Sequence, residues 1–280
     1  MQLFLDTEIK TFLSRAQTYL ELQPAVHSMI LSLVLRSRQL GNSMPVLASL
    51  VNSRGEILAA GVQTDPERNL LISNIAQDVA ENFAKLLACQ VESLPGVYGP
   101  AEAAKAFAKT WTQEKRREPR LIKNLRLFEI SELRPPKLPE GLPRQAKPQD
   151  QDVILQWYRA FHAEAVPNDP KISDEDLRAS VEAGIARGEF FLWQHEGKVT
   201  SLVGSRRETE RERWIAPVYT PPNLRGRGFG AALTAYASQK ILASGKKGML
   251  FTDLANPISN RIYQKIGYVP LSDFQQLSFE

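Results

Sequence analysis

The stretch Val218 to Tyr236, VYTPPNLRGRGFGAALTAY, constrains this chain more than any other. An apolar, β-favouring run from Trp214 to Tyr219 meets Pro221 and Pro222. Proline has no backbone N–H to give a ladder, so a strand has to stop there. Gly226, Gly228 and Gly230 then strip side chains from the loop, and an alanine-rich helical pattern begins at Phe229. Strand, glycine loop and helix start, in that order, make an anion site. The first N–H groups of a helix lack intrahelical partners, and the helix dipole favours negative charge. Glycine lets backbone approach a phosphate closely and adopt positive φ. Arg225 and Arg227 bring guanidinium groups suited to charge-assisted hydrogen bonds. From Trp214 to Thr252 the chain holds five basic residues (Arg225, Arg227, Lys240, Lys246, Lys247) and no acidic one. A solvated helix face explains the three lysines; it leaves the two loop arginines unexplained.

The whole chain carries less bias. Its net charge of +4 balances 35 basic against 31 acidic residues, too mild a surplus to argue for nucleic acid. No run approaches the ~18 apolar residues that a membrane span requires. The start, MQLFLDTEIKTF, lacks a basic segment followed by an apolar one, so no secretory signal is expected. Cys89 stands alone, and His27, His162 and His195 have no metal-ligand spacing. The expectation is a soluble, cytoplasmic protein that binds neither metal, membrane nor nucleic acid.

A length of 280 residues allows two domains. In the first half, helices are expected near residues 5–22 and 26–40, where apolar positions recur at helical spacing. PVLASLVNSRGEILAAGVQT reads as a hairpin, LLISNI as a strand and AQDVAENFAKLLACQ as an amphipathic helix. VYGPAEAAKAFAKTW opens with a Gly-Pro turn and becomes helix, EKRREPR is a solvated connection, and IKNLRLFEI is a strand. Residues 134–148, RPPKLPEGLPRQAKP, hold five prolines and read as an interdomain linker. The boundary is placed near Glu140, giving domains 1–140 and 141–280.

Past the linker come a helix at QDQDVILQWYRAFHAEA and another that Ser173 caps. A hairpin follows, turning at Glu196-Gly197, then the strand ERWIAPVY, the glycine loop and a helix over 229–244. The strand GMLFTDL, a short helix ending at Gly267 and a last extended segment complete the domain. The fold class is α/β (α+β), a mixed central sheet flanked by helices. The first half repeats this order without the glycine loop, which suggests a diverged internal copy.

Three ligands suit such a loop. A P-loop requires a lysine that is absent here. Gly226, Gly228 and Ala231 match G-x-G-x-x-A, with Asp253 at the end of a later strand, as a dinucleotide site would have. But the strand does not run straight into the first glycine, and too little chain follows Asp253 to complete a doubly wound sheet. The third ligand is the diphosphate of coenzyme A. VYTPPNLRGRGFGAAL resembles the acyl-CoA motif [QR]-x-x-G-x-[GA] of the GCN5-related N-acetyltransferases, matched by Arg225, Gly228 and Gly230. DLANPISNRIYQKIGYVPL resembles the strand-helix segment that follows in the same family, and the resemblance extends over residues 141–280.

By that resemblance, acetyl-CoA would be the co-substrate. Val218, Tyr219 and Thr220 would lie along its pantetheine arm. Backbone N–H groups of Arg225, Gly226, Arg227, Gly228, Phe229 and Gly230 would cradle the diphosphate. Asn256 and Asn260 would line the channel, although Asn256-Pro257 also suits a plain helix cap. Tyr263 would protonate the departing thiolate, although IYQKIG equally needs an aromatic for packing. The acceptor would be an amine that attacks the thioester directly. Its base stays open among Glu164, Glu189, His162 and Asp253. The acceptor cleft would be built from residues 150–190 and the first domain. The resemblance to tandem members of the family implies that the first domain is a degenerate copy, completing the acceptor pocket or mediating homodimerisation. Two rivals remain: a non-catalytic acyl-CoA sensor, and a transferase using aminoacyl-tRNA, which the mild charge disfavours.

Overall fold

The structure is a computed structural model that describes residues 1–165 and 172–280. In chain order the elements begin with β1 (Gln2–Leu5), α1 (Ile9–Leu20), α2 (Pro24–Leu40), β2 (Val46–Val51), β3 (Ile57–Gln63) and β4 (Leu70–Ile72). Next come α3 (Gln77–Ala88), β5 (Gly96–Pro100), α4 (Ala101–Lys115), β6 (Pro119–Ile130) and β7 (Leu142–Gln145). They continue with α5 (Gln151–Ala165), α6 (Asp174–Ala186), β8 (Phe190–His195), β9 (Lys198–Glu208) and β10 (Glu212–Tyr219). The last are α7 (Phe229–Ala243), β11 (Lys247–Asp253), α8 (Pro257–Ile266) and β12 (Val269–Phe279).

Two compact units result, and they are not consecutive halves. The first comprises Met1–Leu127, Phe251–Asn256 and Pro270–Glu280; the second comprises Phe128–Leu250 and Pro257–Val269. The C-terminal strand joins the first unit because β12 pairs antiparallel with β5, Phe274 opposite Pro100 and Ser278 opposite Gly96. Arg126 clasps Asp273 through two hydrogen bonds of 2.6 and 2.8 Å beside it. Glu140 therefore falls inside the second unit.

The first unit pairs its strands in the order β1-β2-β3-β4-β5-β12-β6. All its described pairings are antiparallel except β4 with β5. One face buries α3 and α4, where Phe83, Phe107, Trp111 and Phe279 meet in sequence at ring separations of 5.8, 6.0 and 6.1 Å. Trp111 is 1% exposed. Trp111→Ala is expected to cost about 3–5 kcal/mol, as large aromatic truncations in closed cores do. The denaturant midpoint of the first unit's transition measures it.

The second unit orders β11-β10-β9-β8-β7, again antiparallel but for one pair, β10 with β11. Alternation along its strands feeds two cores. Phe190, Leu192, Leu202 and Tyr219 pack with Leu155, Trp157 and Val181 of α5 and α6. Trp193, Val203 and Ile215 pack with Phe229, Leu233 and Ile266 of α7 and α8. The hairpin joining β8 and β9 turns at Glu196 (φ 48°) and Gly197 (φ 73°), the left-handed pair that a two-residue turn demands.

Three segments differ from expectation. MQLFL contributes an edge strand, β1, paired with β2. GVYGP is strand β5 rather than a turn, with Pro100 as the residue before α4. The proline-rich segment holds β7, which pairs with β8 from Leu142 opposite Gln194 to Gln145 opposite Phe191. Proline is tolerated on such an edge, since its missing N–H faces away from the ladder. Arg144 holds the edge in place through hydrogen bonds of 2.7 and 2.8 Å to Asp150.

Candidate functional site

The site begins where β10 loses its parallel neighbour. Pairing with β11 runs only from Glu212 opposite Lys247 to Trp214 opposite Met249. On the other side the register with β9 shifts between Ile215 and Val218, opposite Ser205 and Val203. One extra residue on β10 produces such a bulge, and Pro217 lies within it, unable to donate. Beyond Trp214 the end of β10 is thus paired only with β9 among the described residues, at Val218 and Tyr219, and its β11-facing edge is left open. The interruption falls earlier than the expected stop at Pro221 and Pro222.

The loop follows. Pro222–Leu224 form one short helical turn, and Arg225 is extended (φ −69°, ψ 163°). Gly226 (φ 77°) and Gly228 (φ 84°) are left-handed, and Gly228 is the residue before the first turn of α7. A Cβ at either would meet nothing within 4 Å, so backbone conformation, not crowding, demands glycine there. No side chain caps α7, and the helix's first backbone bond runs from the Ala232 N–H to the Gly228 carbonyl at 3.0 Å. The N–H groups of Phe229, Gly230 and Ala231 therefore have no intrahelical acceptor. Gly230 serves another purpose: its Cβ would sit 3.1 Å from Thr220 Oγ1, so the helix start packs close to the strand end. Ser201 fixes that corner, donating to the Tyr219 carbonyl at 3.1 Å and meeting Thr220 Oγ1 at 2.9 Å.

Both loop arginines are already engaged. Arg225 donates through Nε to the Thr220 carbonyl at 2.9 Å and through Nη2 to Glu164 Oε2 at 2.6 Å. Arg227 lies over the Phe229 ring at 4.8 Å, with Nη2 3.0 Å from His195 Nε2. The sequence offered no sign of either partnership. Glu164 is 61 residues from Arg225 and His195 is 32 from Arg227. Both guanidinium groups thus have partners within the second unit, while the first N–H groups of α7 have no intrahelical acceptor.

Tyr263 lies on α8 with Asn260 one turn before it, in the same unit as the loop. Its ring packs with the α7–α8 core and meets Tyr268 edge-on at 5.9 Å. Burial pushes its phenol up to about 12, so the hydroxyl is protonated at neutral pH. Tyr268 bonds Ser238 at 2.8 Å, whereas the Tyr263 hydroxyl makes no hydrogen bond among the described residues. Asn260 is half-buried. Asn256 is exposed, belongs to the first unit, and donates its backbone N–H to the Asp253 carbonyl at 3.0 Å. The structure brings Val218 to Gly230, Asn260 and Tyr263 into one unit and leaves Asn256 outside it.

The four base candidates fare differently. Burial alone would raise the Glu189 carboxyl, but the hydrogen bonds and charges of Arg187 and Arg206 outweigh it and hold it low. That ion pair is structural. Glu189 adds stability above the ordinary unfolded glutamate value of about 4.3, and the gain is lost as pH falls through its lower folded value. Glu189→Gln is expected to cost about 2–3 kcal/mol at pH 7, because it strands the nearly buried Arg206. The gap to wild type should narrow by pH 3, which urea midpoints at the two pH values check. His162 stacks on Tyr158 at 4.9 Å, and Asp253 accepts from the Ala255 N–H at 2.8 Å. Glu164 is taken up by Arg225 and by the Tyr219 hydroxyl, 3.3 Å from Oε1. Of the expected cleft over 150–190, residues 166–171 lie outside the described residues.

The model of the "Acetyltransferase (GNAT) family" matches residues 152–268. Among solved structures, an acetyltransferase from the GNAT family of Colwellia psychrerythraea superposes with a TM-score of 0.63 at 11% identity, covering 100% of both chains. A GCN5-related N-acetyltransferase from Sphaerobacter thermophilus gives 0.62 at 16%, over 98% of this chain and 94% of its own. A Drosophila protein gives 0.67 at 12%, over 99% and 98%. At these identities the superpositions establish the fold. No curated protein sequence matches.

Proposed function

We propose that this chain, whose residues 152–268 match the model of the acetyltransferase (GNAT) family, is an acyltransferase of that family that takes acetyl-CoA and transfers its acetyl group to a primary amine. One observation carries the reading. The parallel pairing of β10 stops at Trp214, and the strand leads through two left-handed glycines into an uncapped helix start. A pantetheine arm can pair with the free strand edge while the diphosphate accepts from the N–H groups of the loop and of α7.

In this reading Val218, Tyr219 and Thr220 border the arm. The amine nitrogen attacks the thioester carbon, the C–N bond forms and the C–S bond breaks. Tyr263 meets the sulfur as negative charge develops on it. A thiol of ordinary pKa near 8.5 is a stronger acid than a phenol near 12, so complete proton transfer to an ordinary thiolate runs uphill. The same burial that raises the phenol disfavours a naked thiolate beside it. Tyr263 thus begins as a hydrogen-bond donor to the sulfur and gives up its proton as the C–S bond opens. The proton lost by the amine goes to a base or to water. Asn260 lines the channel one turn from Tyr263.

The remaining assignments belong to the same proposal. The first unit acts as a degenerate copy that mediates homodimerisation, and the second unit carries the chemistry. The location is cytoplasmic; no helix among the described residues is long and apolar enough to cross a membrane. The test is release of CoA thiol from acetyl-CoA against a panel of polyamines, amino sugars, amino acids and peptides. Amine-dependent release, with acetylated product seen by mass, is the expected result. Tight acetyl-CoA binding with no turnover on any amine would replace the enzyme with a sensor.

A further inference from the structure

We propose that Glu164 is a positioning residue for the glycine loop, fixing through Arg225 the strand end and loop entry that receive the cofactor diphosphate. The inference rests on the acyl-CoA reading of that loop. Glu164 stands at the end of α5, and its two oxygens hold two residues of the site: Oε2 takes Arg225 Nη2 at 2.6 Å, and Oε1 takes the Tyr219 hydroxyl at 3.3 Å. Arg225 closes the clamp by donating Nε to the Thr220 carbonyl at 2.9 Å, its guanidinium 5.8 Å from the Tyr219 ring. Last strand residue, strand end and first loop residue are thereby tied to one carboxylate.

The geometry suits positioning better than catalysis or folding. Each Glu164 oxygen already accepts from a residue of the strand end or loop, Arg225 on one and Tyr219 on the other. As an ion pair it is half exposed on both sides, 48% for Arg225 and 46% for Glu164, and exposed pairs add little to folding. What it restricts is a long arginine side chain and the backbone entering a loop whose next residues turn left-handed at Gly226 and Gly228. Ordering such a segment on binding weakens affinity; ordering it beforehand removes that loss.

Hydrogen exchange and acetyl-CoA titration on the full chain test this, comparing Glu164→Leu, the conservative Glu164→Gln, Arg225→Gln and Glu164→Leu with Arg225→Gln together. In the ligand-free protein, the Leu224 and Arg225 amides donate to the Pro221 and Pro222 carbonyls at 2.9 and 3.3 Å. Their exchange should accelerate in Glu164→Leu and less in Glu164→Gln, whose amide oxygen still accepts from Arg225. The Kd for acetyl-CoA should rise on the order of three- to tenfold in Glu164→Leu, with kcat at saturation unchanged. Arg225→Gln should lose as much, and the double variant no more than either. Unchanged exchange, tighter binding in Glu164→Leu, or additive losses would each overturn the proposal. A wild type that fails to bind acetyl-CoA would bring down the cofactor reading, while the exchange comparison would still decide whether Glu164 braces the loop.

Discussion

Tyr263→Phe is expected to lower kcat by about 10²- to 10⁴-fold, the range that removal of a positioned proton donor costs. The Kd for acetyl-CoA should stay within about twofold of wild type, because an interaction made only in the transition state leaves ground-state binding alone. Folding should be nearly unaffected. The hydroxyl bonds no described residue, and the ring that packs against Tyr268 and the α7–α8 core is kept. A packing role for Tyr263 predicts the reverse pattern, with little change in kcat on replacement by phenylalanine. The pH profile adds a second reading. With the phenol held near 12 by burial, loss of the acid falls above pH 10, so any rise of kcat near neutrality belongs to the amine or its base. Steady-state rates from pH 6 to 10 in the wild type and Tyr263→Phe give kcat and its pH dependence, calorimetric titration gives the Kd, and thermal unfolding gives the stability.

Gly228→Glu is expected to abolish acetyl-CoA binding, by at least about 100-fold, while the protein still folds. Gly228 is left-handed at φ 84°, which costs an L-residue about 1–2 kcal/mol. A carboxylate at a helix N-terminus returns about 0.3–1 kcal/mol through the dipole, so the net loss of stability is small. There is room for the side chain, since a Cβ there meets no atom within 4 Å. The binding loss has a different origin. The new carboxylate occupies the N–H groups of α7 that the diphosphate needs. It also repels like charge by about 4 kcal/mol at 4 Å for an effective dielectric near 20. Thermal unfolding separates the two effects: a folded variant that fails to bind locates the site, and an unfolded one does not.

How much of this was legible in the sequence follows from how local each feature is. Prolines, glycines and the alanine-rich run act on their own backbone, so the sequence of strand end, loop and helix start could be read directly. Ser173 as the cap of α6 was legible for the same reason; its Oγ accepts from the Asp176 N–H. Features that depend on distant partners were not. GVYGP looks like a turn because glycine and proline are rare in strands, yet β5 is held between β4 and β12. The proline-rich segment looks like a linker, yet β8 pulls Leu142–Gln145 into an edge strand. The C-terminal strand read as extended chain, but its place in the first unit depends on β5, more than 170 residues earlier. Within the candidate site the same divide holds. Arg225 and Arg227 were legible as loop cations, whereas Glu164 and His195, which hold them, carry no mark of it in spacing. Glu164 stood among the candidate bases because acidity was all the sequence disclosed about it.

The loop from Arg225 to Gly230 and the start of α7 are expected to receive the diphosphate of an acyl-CoA. Calorimetric titration of acetyl-CoA into the wild type and Gly228→Glu tests it most directly. One site per chain is expected, with a Kd on the order of micromolar in the wild type and no detectable heat of binding in the folded variant. Absence of binding to the wild type, or equal binding to both, would contradict it.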